Sequence, residues 1–235
     1  MACKRTFLFD LYGTLIDIHT DEEHPFAWQE LCKDLGEPLT RWEDVKREYR
    51  QRCAAKKREQ WYEFDLTQVF CEMLSSRGLK TDDVSFLARR FRLATTKKMQ
   101  RFPCVKEMLD GLRARGAGVY LLSNAQACFT WDEIEKTGLT PCFDGVMLSS
   151  EVGWKKPGAN FFECAFDTFS LDPDRCIYVG NDLHDDVWGA SSVGMKTVYI
   201  PTPQSGIYEM TLPTPTYMVA NHQELCELLW RLAEE

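Results

Sequence analysis

The sequence predicts an α/β fold: a doubly wound parallel sheet core interrupted by one inserted all-helical domain. Two observations carry this expectation. After Pro103, short apolar runs alternate with helical segments to the end of the chain, as in a parallel sheet covered on both faces. From about residue 22 to 100, by contrast, one helical pattern follows another and no strand pattern intervenes. The core is therefore assigned to residues 1–16 and 101–235, and the helical insertion to residues 17–100.

The elements read in order as follows. TFLFD at 6–10 is a short apolar run closed by a Gly-Thr turn, hence a buried strand. EEHPFAWQELCKDLG places Phe26, Trp28, Leu31, Cys32 and Leu35 at helical spacing and stops at Gly36. WEDVKREYRQRCAAKKREQ is a long charged helix, FDLTQVFCEMLSSRGL an amphipathic one, and TDDVSFLARRFRLATTKKM a fourth that opens with a Thr or Asp cap. Then VKEMLDGLRARG is a helix, AGVYLLS a strand, 126–137 a helix, GVMLSS a strand and GANFFECAFDTF a helix. CIYVG, KTVYI and TYMVA complete the strands, with helices at DVWGASSVG and HQELCELLWRLAEE.

Composition bounds the function. The 235 residues are 44% hydrophobic and 27% charged, which suits a globular protein with a core. A net charge of −8 offers no basic surface to nucleic acid or to an anionic membrane. It leaves room for a small anionic substrate, because a few local cations outweigh a global field. The first residues, MACKRTFLFDLYGTL, contain no apolar stretch of secretion-signal length, and no run approaches the ~18 apolar residues that span a bilayer. None of the ten cysteines forms a CxxC pair, and most fall within apolar periodic segments. Reduced, buried thiols in the cytoplasm are expected rather than a disulfide framework or zinc site. A monomer and a homodimer both remain open.

In open parallel sheets, ligands bind beyond the carboxyl ends of the strands. Four loops there carry chemistry. The first strand ends in Asp10-Leu11-Tyr12-Gly13-Thr14, the second in Ser123-Asn124. Gly153-Trp154-Lys155-Lys156-Pro157 follows the third, and Gly180-Asn181-Asp182-Leu183-His184-Asp185-Asp186 closes the fourth. A carboxylate at a strand terminus can attack phosphorus or carbon and split one hard step into two through a covalent ester. Asp10 fits that role, with Gly13 permitting a tight turn and Thr14 offering a hydroxyl and a backbone N–H. Ser123 and Asn124 are small donors for a phosphoryl or carboxylate oxygen. Lys156, or its neighbour Lys155, supplies a compact positive charge. Asp182, Asp185 and Asp186 lie within five residues, and such carboxylates raise one another's pKa unless a cation is present. A hard, oxygen-ligated ion such as Mg²⁺ relieves that repulsion and polarises a phosphoryl group.

FLFDLYGTLID, LLSNA, KKP and YVGNDLHDDVWGA together resemble the four sequence motifs of the haloacid dehalogenase (HAD) superfamily. The resemblance covers residues 6 to about 190. It implies a Rossmann-like core, and it makes the helical insertion a small cap domain. It implies a hydrolase whose nucleophile is Asp10, with Thr14 and Lys156 in the catalytic apparatus and Tyr12, Ser123, Asn124 and Lys156 on the substrate. The family pattern puts the lysine immediately before proline, which favours Lys156 over Lys155. In the phosphatases so resembled, Mg²⁺ is held by the nucleophile, by the carbonyl two residues later and by the acidic loop. Those correspond to Asp10, the carbonyl of Tyr12 and Asn181 or Asp182, with Asp186 in support.

Two departures pull apart. Where those phosphatases carry a second aspartate as general acid and base, this chain has Tyr12, a phenol of pKa about 10 and a poor donor to an alkoxide. DLYGTL instead resembles the first motif of the 2-haloacid dehalogenases, whose halide leaves unprotonated. The acidic fourth motif points back to a metal-dependent enzyme, although Asn181 replaces the common aspartate. The reading adopted is Mg²⁺-dependent hydrolysis of a small phosphate ester. Its alternatives are a metal-independent 2-haloacid dehalogenase and a catalytically impaired binding protein. Trp28, Arg47, Arg50, Trp61 and Tyr62 are the cap residues set out as candidates to face the site.

Overall fold

The computed structural model describes residues 5–80, 82 and 84–235. Thr81 and Asp83, two of the residues expected to cap the fourth helix, and Cys3 lie outside the described residues. In chain order the elements begin with β1 (Thr6–Phe9), β2 (Ile16–Thr20), α1 (Pro25–Asp34), α2 (Trp42–Lys56), α3 (Thr67–Ser75), α4 (Val84–Thr95) and β3 (Thr96–Arg101). They continue with α5 (Val105–Ala114), β4 (Gly118–Ser123), α6 (Ala127–Lys136), β5 (Gly145–Leu148), α7 (Ser149–Val152) and α8 (Ala159–Phe169). β6 (Cys176–Gly180), α9 (Gly189–Ser192), β7 (Lys196–Tyr199), β8 (Tyr217–Met218) and α10 (His222–Glu234) complete the chain.

Six strands form one parallel sheet in the order β5-β4-β1-β6-β7-β8. Period-2 alternation sends Phe7, Phe9, Val119 and Leu121 into a core shared with α5 and α10. Leu8, Leu122 and Tyr178 pack on the other face against Phe161 and Phe162 of α8. Both faces are thus covered, which explains why these strands read as nearly continuous apolar runs. β1 pairs with β4 on one side and β6 on the other, Phe9 lying level with Leu121 and Val179. The connections reverse direction across β1, and the loops beyond its carboxyl end frame a crevice of the kind that binds ligands.

The helical insertion has a core of its own, built on Trp28, Tyr49, Phe70 and Phe91, whose ring centroids lie 4.8–5.8 Å apart. Trp28 is fully buried there, so it does not face the site. Arg47 and Arg50 pair with Asp44 and Glu23 on the exposed outer surface.

One expectation needs correction. The fourth helical pattern was expected to run on to Met99, but the helix stops at Thr95, and Thr96–Arg101 pairs antiparallel with Ile16–Thr20. The hydroxyls of Thr95 and Thr96 donate to the carbonyl of Arg92 at 2.8 and 2.7 Å, capturing the last turn. Beyond it, Ile18 and Met99 turn inward against the core while Lys98 pairs with Asp17 outside. The two-stranded ribbon therefore joins the helical cap to the sheet at both ends.

At the start of α10, His222 stacks on Phe102 and donates from Nε2 to the carbonyl of Thr14 at 2.8 Å. Burial lowers its pKa below that of a free imidazole. The unfolded chain then takes up a proton more readily than the folded one, so the contribution of His222 is present above about pH 6.5 and is lost as pH falls through the folded value. The unfolding free energy of the wild type, less that of His222→Gln, should fall on acidification with a slope of at most about 1.4 kcal/mol per pH unit. Urea titrations at several pH values measure it, and a pH-independent difference would refute the assignment.

Candidate active site

The β1 ladder continues one residue past the strand, with the Asp10 amide donating to the carbonyl of Val179 at 3.0 Å. That contact sets the Asp10 side chain at the crevice mouth, where it is 7% exposed. The chain then turns sharply at Gly13 (φ 86°), where a side chain would collide with Asn181 at 2.4 Å. Only glycine suits both the left-handed backbone and the close approach.

The four loops converge. Lys156, 2% exposed, places Nζ 2.7 Å from Asp10 Oδ1, 2.6 Å from Asp186 Oδ1 and 2.7 Å from the Tyr178 hydroxyl. Three acceptors use all three ammonium hydrogens. Tyr178 in turn donates to the carbonyl of Leu122 at 2.8 Å. Ser123 Oγ donates to Asp10 Oδ1 at 3.3 Å, while the Thr14 hydroxyl reaches Asn181 Oδ1 at 3.1 Å and Asp10 Oδ2 at 3.4 Å. Asp10 Oδ1 is thus tied down by a full charge, and Oδ2 carries only the long Thr14 contact.

Asn124 acts on the lysine loop. Its Oδ1 accepts the Lys156 amide at 2.8 Å, and its Nδ2 donates to the Lys156 carbonyl and to Asp185 Oδ2, both at 3.0 Å. Asp186 spends its second oxygen on the Asp182 amide at 2.9 Å and packs against Gly180, where a Cβ would lie 2.2 Å from it. Burial pushes the Asp186 carboxyl up to about 7, with Lys156 pulling it down and Asp10 adding to the rise. Burial alone would lower Lys156, yet the two carboxylates outweigh it and hold the ammonium well above an ordinary lysine. Asp182 accepts from the Tyr208 hydroxyl at 2.6 and 2.7 Å and from the amides of His184 and Asp185. Asp10, Tyr12, Ser123, Asn124, Lys156, Asn181, Asp182, Asp185 and Asp186, together with Gln204, enclose a cavity of about 160 Å³.

Tyr12 lines this cavity but turns its hydroxyl towards α6, bonding Glu133 and, at 3.0 Å, Thr130. Burial, with the Glu133 charge beside it, drives the phenol well above its ordinary pKa. Arg92 from α4 grips Glu133 at 2.7 and 3.4 Å and lies over the Tyr12 ring, 5.4 Å from its centroid. Lys155, the competing lysine, points elsewhere and pairs with Glu63 at 3.6 Å. Of the cap aromatics, Trp61 and Tyr62 do approach the site loops. The Trp61 carbonyl accepts the Lys155 amide at 2.9 Å, Tyr62 pairs with Trp154, and the Trp61 ring lies 5.6 Å from His184.

A family model described as haloacid dehalogenase-like hydrolase matches residues 4–194. The chain belongs to the haloacid dehalogenase-like hydrolases. Among relatives of this HAD hydrolase, a pyrimidine 5'-nucleotidase, PynA, from Streptococcus pneumoniae is 25% identical over 94% of this chain and 93% of its own. A glyceraldehyde 3-phosphate phosphatase from Methanothermobacter thermautotrophicus is 30% identical, over only 43% of this chain and 45% of its own. By fold it is similar to a 2-haloacid dehalogenase from Pseudomonas syringae pv. Tomato DC3000, with a TM-score of 0.66 and 22% identity over 98% of this chain and all of that one. A HAD phosphatase from Thermococcus onnurineus is also similar, with a TM-score of 0.62 and 21% identity over 96% and 97%. Other residues that sequence reasoning did not single out also meet this site, Tyr178 among them although it opens the fourth motif. Tyr178 sits among ordinary strand residues, Arg92 is one of three arginines in RRFR, and Gln204 lies in a Pro-rich loop; nothing in their spacing marks them.

Proposed function

We propose that this hydrolase cleaves a small phosphate ester in a Mg²⁺-dependent reaction through an ester on Asp10. The charge balance of the cavity carries the reading. Four carboxylates (Asp10, Asp182, Asp185 and Asp186) line it, and Lys156 is the one cation among its described lining residues. Arg92, which lies over the Tyr12 ring, and Lys155, next to Lys156 in the chain, are already paired with Glu133 and Glu63. An anionic substrate is repelled unless positive charge enters with it. The donor set is oxygen only on this wall, which suits a hard divalent ion. Asp10 Oδ2, the Tyr12 carbonyl and Asn181 or Asp182 would hold Mg²⁺, and Asp186 would brace Lys156 and the loop. When bound, the ion neutralises and polarises the phosphoryl group.

Asp10 forms the new bond to phosphorus through the carboxylate oxygen that does not hold the ion, as the bond to the leaving oxygen breaks and the alcohol departs with a proton taken from water. Water then attacks the phosphorus of the aspartyl phosphate, which releases phosphate and restores the carboxylate. Ser123 and Asn124 line the cavity where phosphoryl oxygens need donors, and residues 17–100 form the cap that encloses the substrate. Two relatives named for phosphate-ester substrates support the reading. One observation favours the dehalogenase alternative: Tyr12 stands where the resembled phosphatases have their acid.

Phosphate release from a panel of small phosphate esters tests the choice. Turnover should need Mg²⁺, fall at least about 100-fold with EDTA, and vanish in Asp10→Asn. Turnover indifferent to chelation, or chloride release from 2-chloropropionate in EDTA, would overturn it. If beryllium fluoride, a mimic of the phosphoaspartate, neither binds nor raises the melting temperature, the protein is a binding module rather than this enzyme.

A further inference from the structure

Gln204 lies on the irregular stretch between β7 and β8, beyond the last of the four motifs, yet it lines the catalytic cavity. Its amide is oriented from behind. Nε2 donates to Asp17 Oδ1 at 2.7 Å and to the carbonyl of Ile18 at 3.2 Å, both on the ribbon strand β2. The reverse orientation would set the amide oxygen against a carboxylate and a carbonyl, so the assignment is fixed by its neighbours. Oε1 is consequently directed away from the ribbon, and it is buried with no hydrogen-bond donor. A buried acceptor left unpaired is costly, and in a native structure it calls for a partner.

The rest of the lining shows what that partner is. The cavity meets phosphoryl oxygens with the charge of Lys156, whose three hydrogens are held by Asp10, Asp186 and Tyr178, and with the Ser123 hydroxyl, which makes only a long 3.3 Å contact to Asp10. A phosphoryl dianion brings no hydrogen to Gln204, so the missing donor belongs to the alcohol half of the ester. We infer that Gln204 is a specificity-determining residue whose Oε1 accepts a hydrogen bond from a hydroxyl of the leaving alcohol, which makes phosphorylated polyols and sugars the substrate class. The inference rests on the phosphatase reading above. A site built to bond a substrate hydroxyl discriminates strongly against an analogue lacking it, because its own polar group is then left unpaired. Oε1 is closed to bulk water in this conformation, so the 201–216 stretch shifts slightly to admit the hydroxyl. Part of that stretch reaches solvent; its Ile207 is 98% exposed.

The experiment compares kcat/KM for glycerol 1-phosphate and propyl phosphate in the wild type, Gln204→Met and Gln204→Glu. p-Nitrophenyl phosphate serves as a common activated ester. Dividing the wild-type preference by the variant preference cancels the intrinsic difference between the two alcohols as leaving groups. The wild type should prefer the hydroxylated ester, and Gln204→Met should reduce that preference by about tenfold or more. Gln204→Glu sets a carboxylate oxygen against Asp17 and the Ile18 carbonyl, the arrangement excluded above, and should lose the preference as Gln204→Met does. An unchanged preference in Gln204→Met overturns the inference and leaves the phosphatase reading standing. A weaker dependence on Mg²⁺ with unchanged preference also overturns it, by assigning Oε1 to water around the ion. Hydrolysis of none of the three esters overturns both readings.

Discussion

Lys156→Met is expected to lower stability by about 3–5 kcal/mol and kcat by about 10²–10³. The thioether nearly matches the lysine stem in length, so the effect is one of charge. The ammonium is 2% exposed and holds Asp10 and Asp186 by bonds of 2.7 and 2.6 Å. Without it, two buried carboxylates that share one partner are left facing each other. Removing one member of a buried ion cluster strands the others. Two refinements separate charge from packing. Mg²⁺ should recover part of the lost stability, because it supplies positive charge to the Asp10 carboxylate. Lys156→Met combined with Asp186→Leu should recover stability and leave the enzyme inactive. Denaturant titrations with and without Mg²⁺, alongside ester turnover, measure both. A loss below about 1 kcal/mol in the single variant would show that the cluster is far better solvated than its burial implies.

That cluster was legible in the sequence to an unusual degree, and the reason is topological. Once β1, β4 and β6 are read as parallel neighbours, Asp10, Ser123 and the Gly180 loop must emerge side by side, whatever the intervening chain does. The lysine is less constrained. It arrives on a loop beyond β5 and reaches Asp10 because Asn124 ties the backbone of Lys156 at both its amide and its carbonyl. Adjacent-strand logic finds the residues at strand ends; it does not find a partner that enters sideways. Tyr178 illustrates this, since its place in CIYVG is that of any core residue and only its hydroxyl, meeting Lys156 at 2.7 Å, sets it apart.

The cap was legible as helices and much less so as a surface. Aromatic residues at helical spacing occupy its core, as Trp28 does, whereas the residues that meet the site loops, Trp61 and Tyr62, lie where helical spacing has ended. The ribbon escaped notice because TTKKMQR is short and charged, and its one inward side chain, Met99, also fits a helix. Glu133 and Arg92 escaped for a different reason. Each looks like a solvated helix charge until α4 and α6 pack and bring the pair over Tyr12.

That pairing determines what Tyr12→Asp should do. In the wild type the phenol is bonded to Glu133 and Thr130 and kept protonated far above neutrality, so it has no proton to lend a leaving alkoxide. An aspartate there stands two residues after the nucleophile, where the resembled phosphatases hold their acid, and its shorter side chain stays clear of α6. Glu133 keeps Arg92 at 2.7 Å, so the exchange strands no charge. A positioned acid is worth about 10²–10⁴ in rate when the leaving group is basic and far less when it is not. Tyr12→Asp should therefore raise kcat for an alkyl phosphate by about that factor and barely change kcat for p-nitrophenyl phosphate. Tyr12→Phe, which removes the hydroxyl without adding an acid, should raise neither. If Tyr12→Asp accelerates both esters equally, the substitution has acted on substrate binding or on the ion. If it accelerates neither, some other group already protonates the leaving oxygen, and the departure at position 12 costs this enzyme nothing.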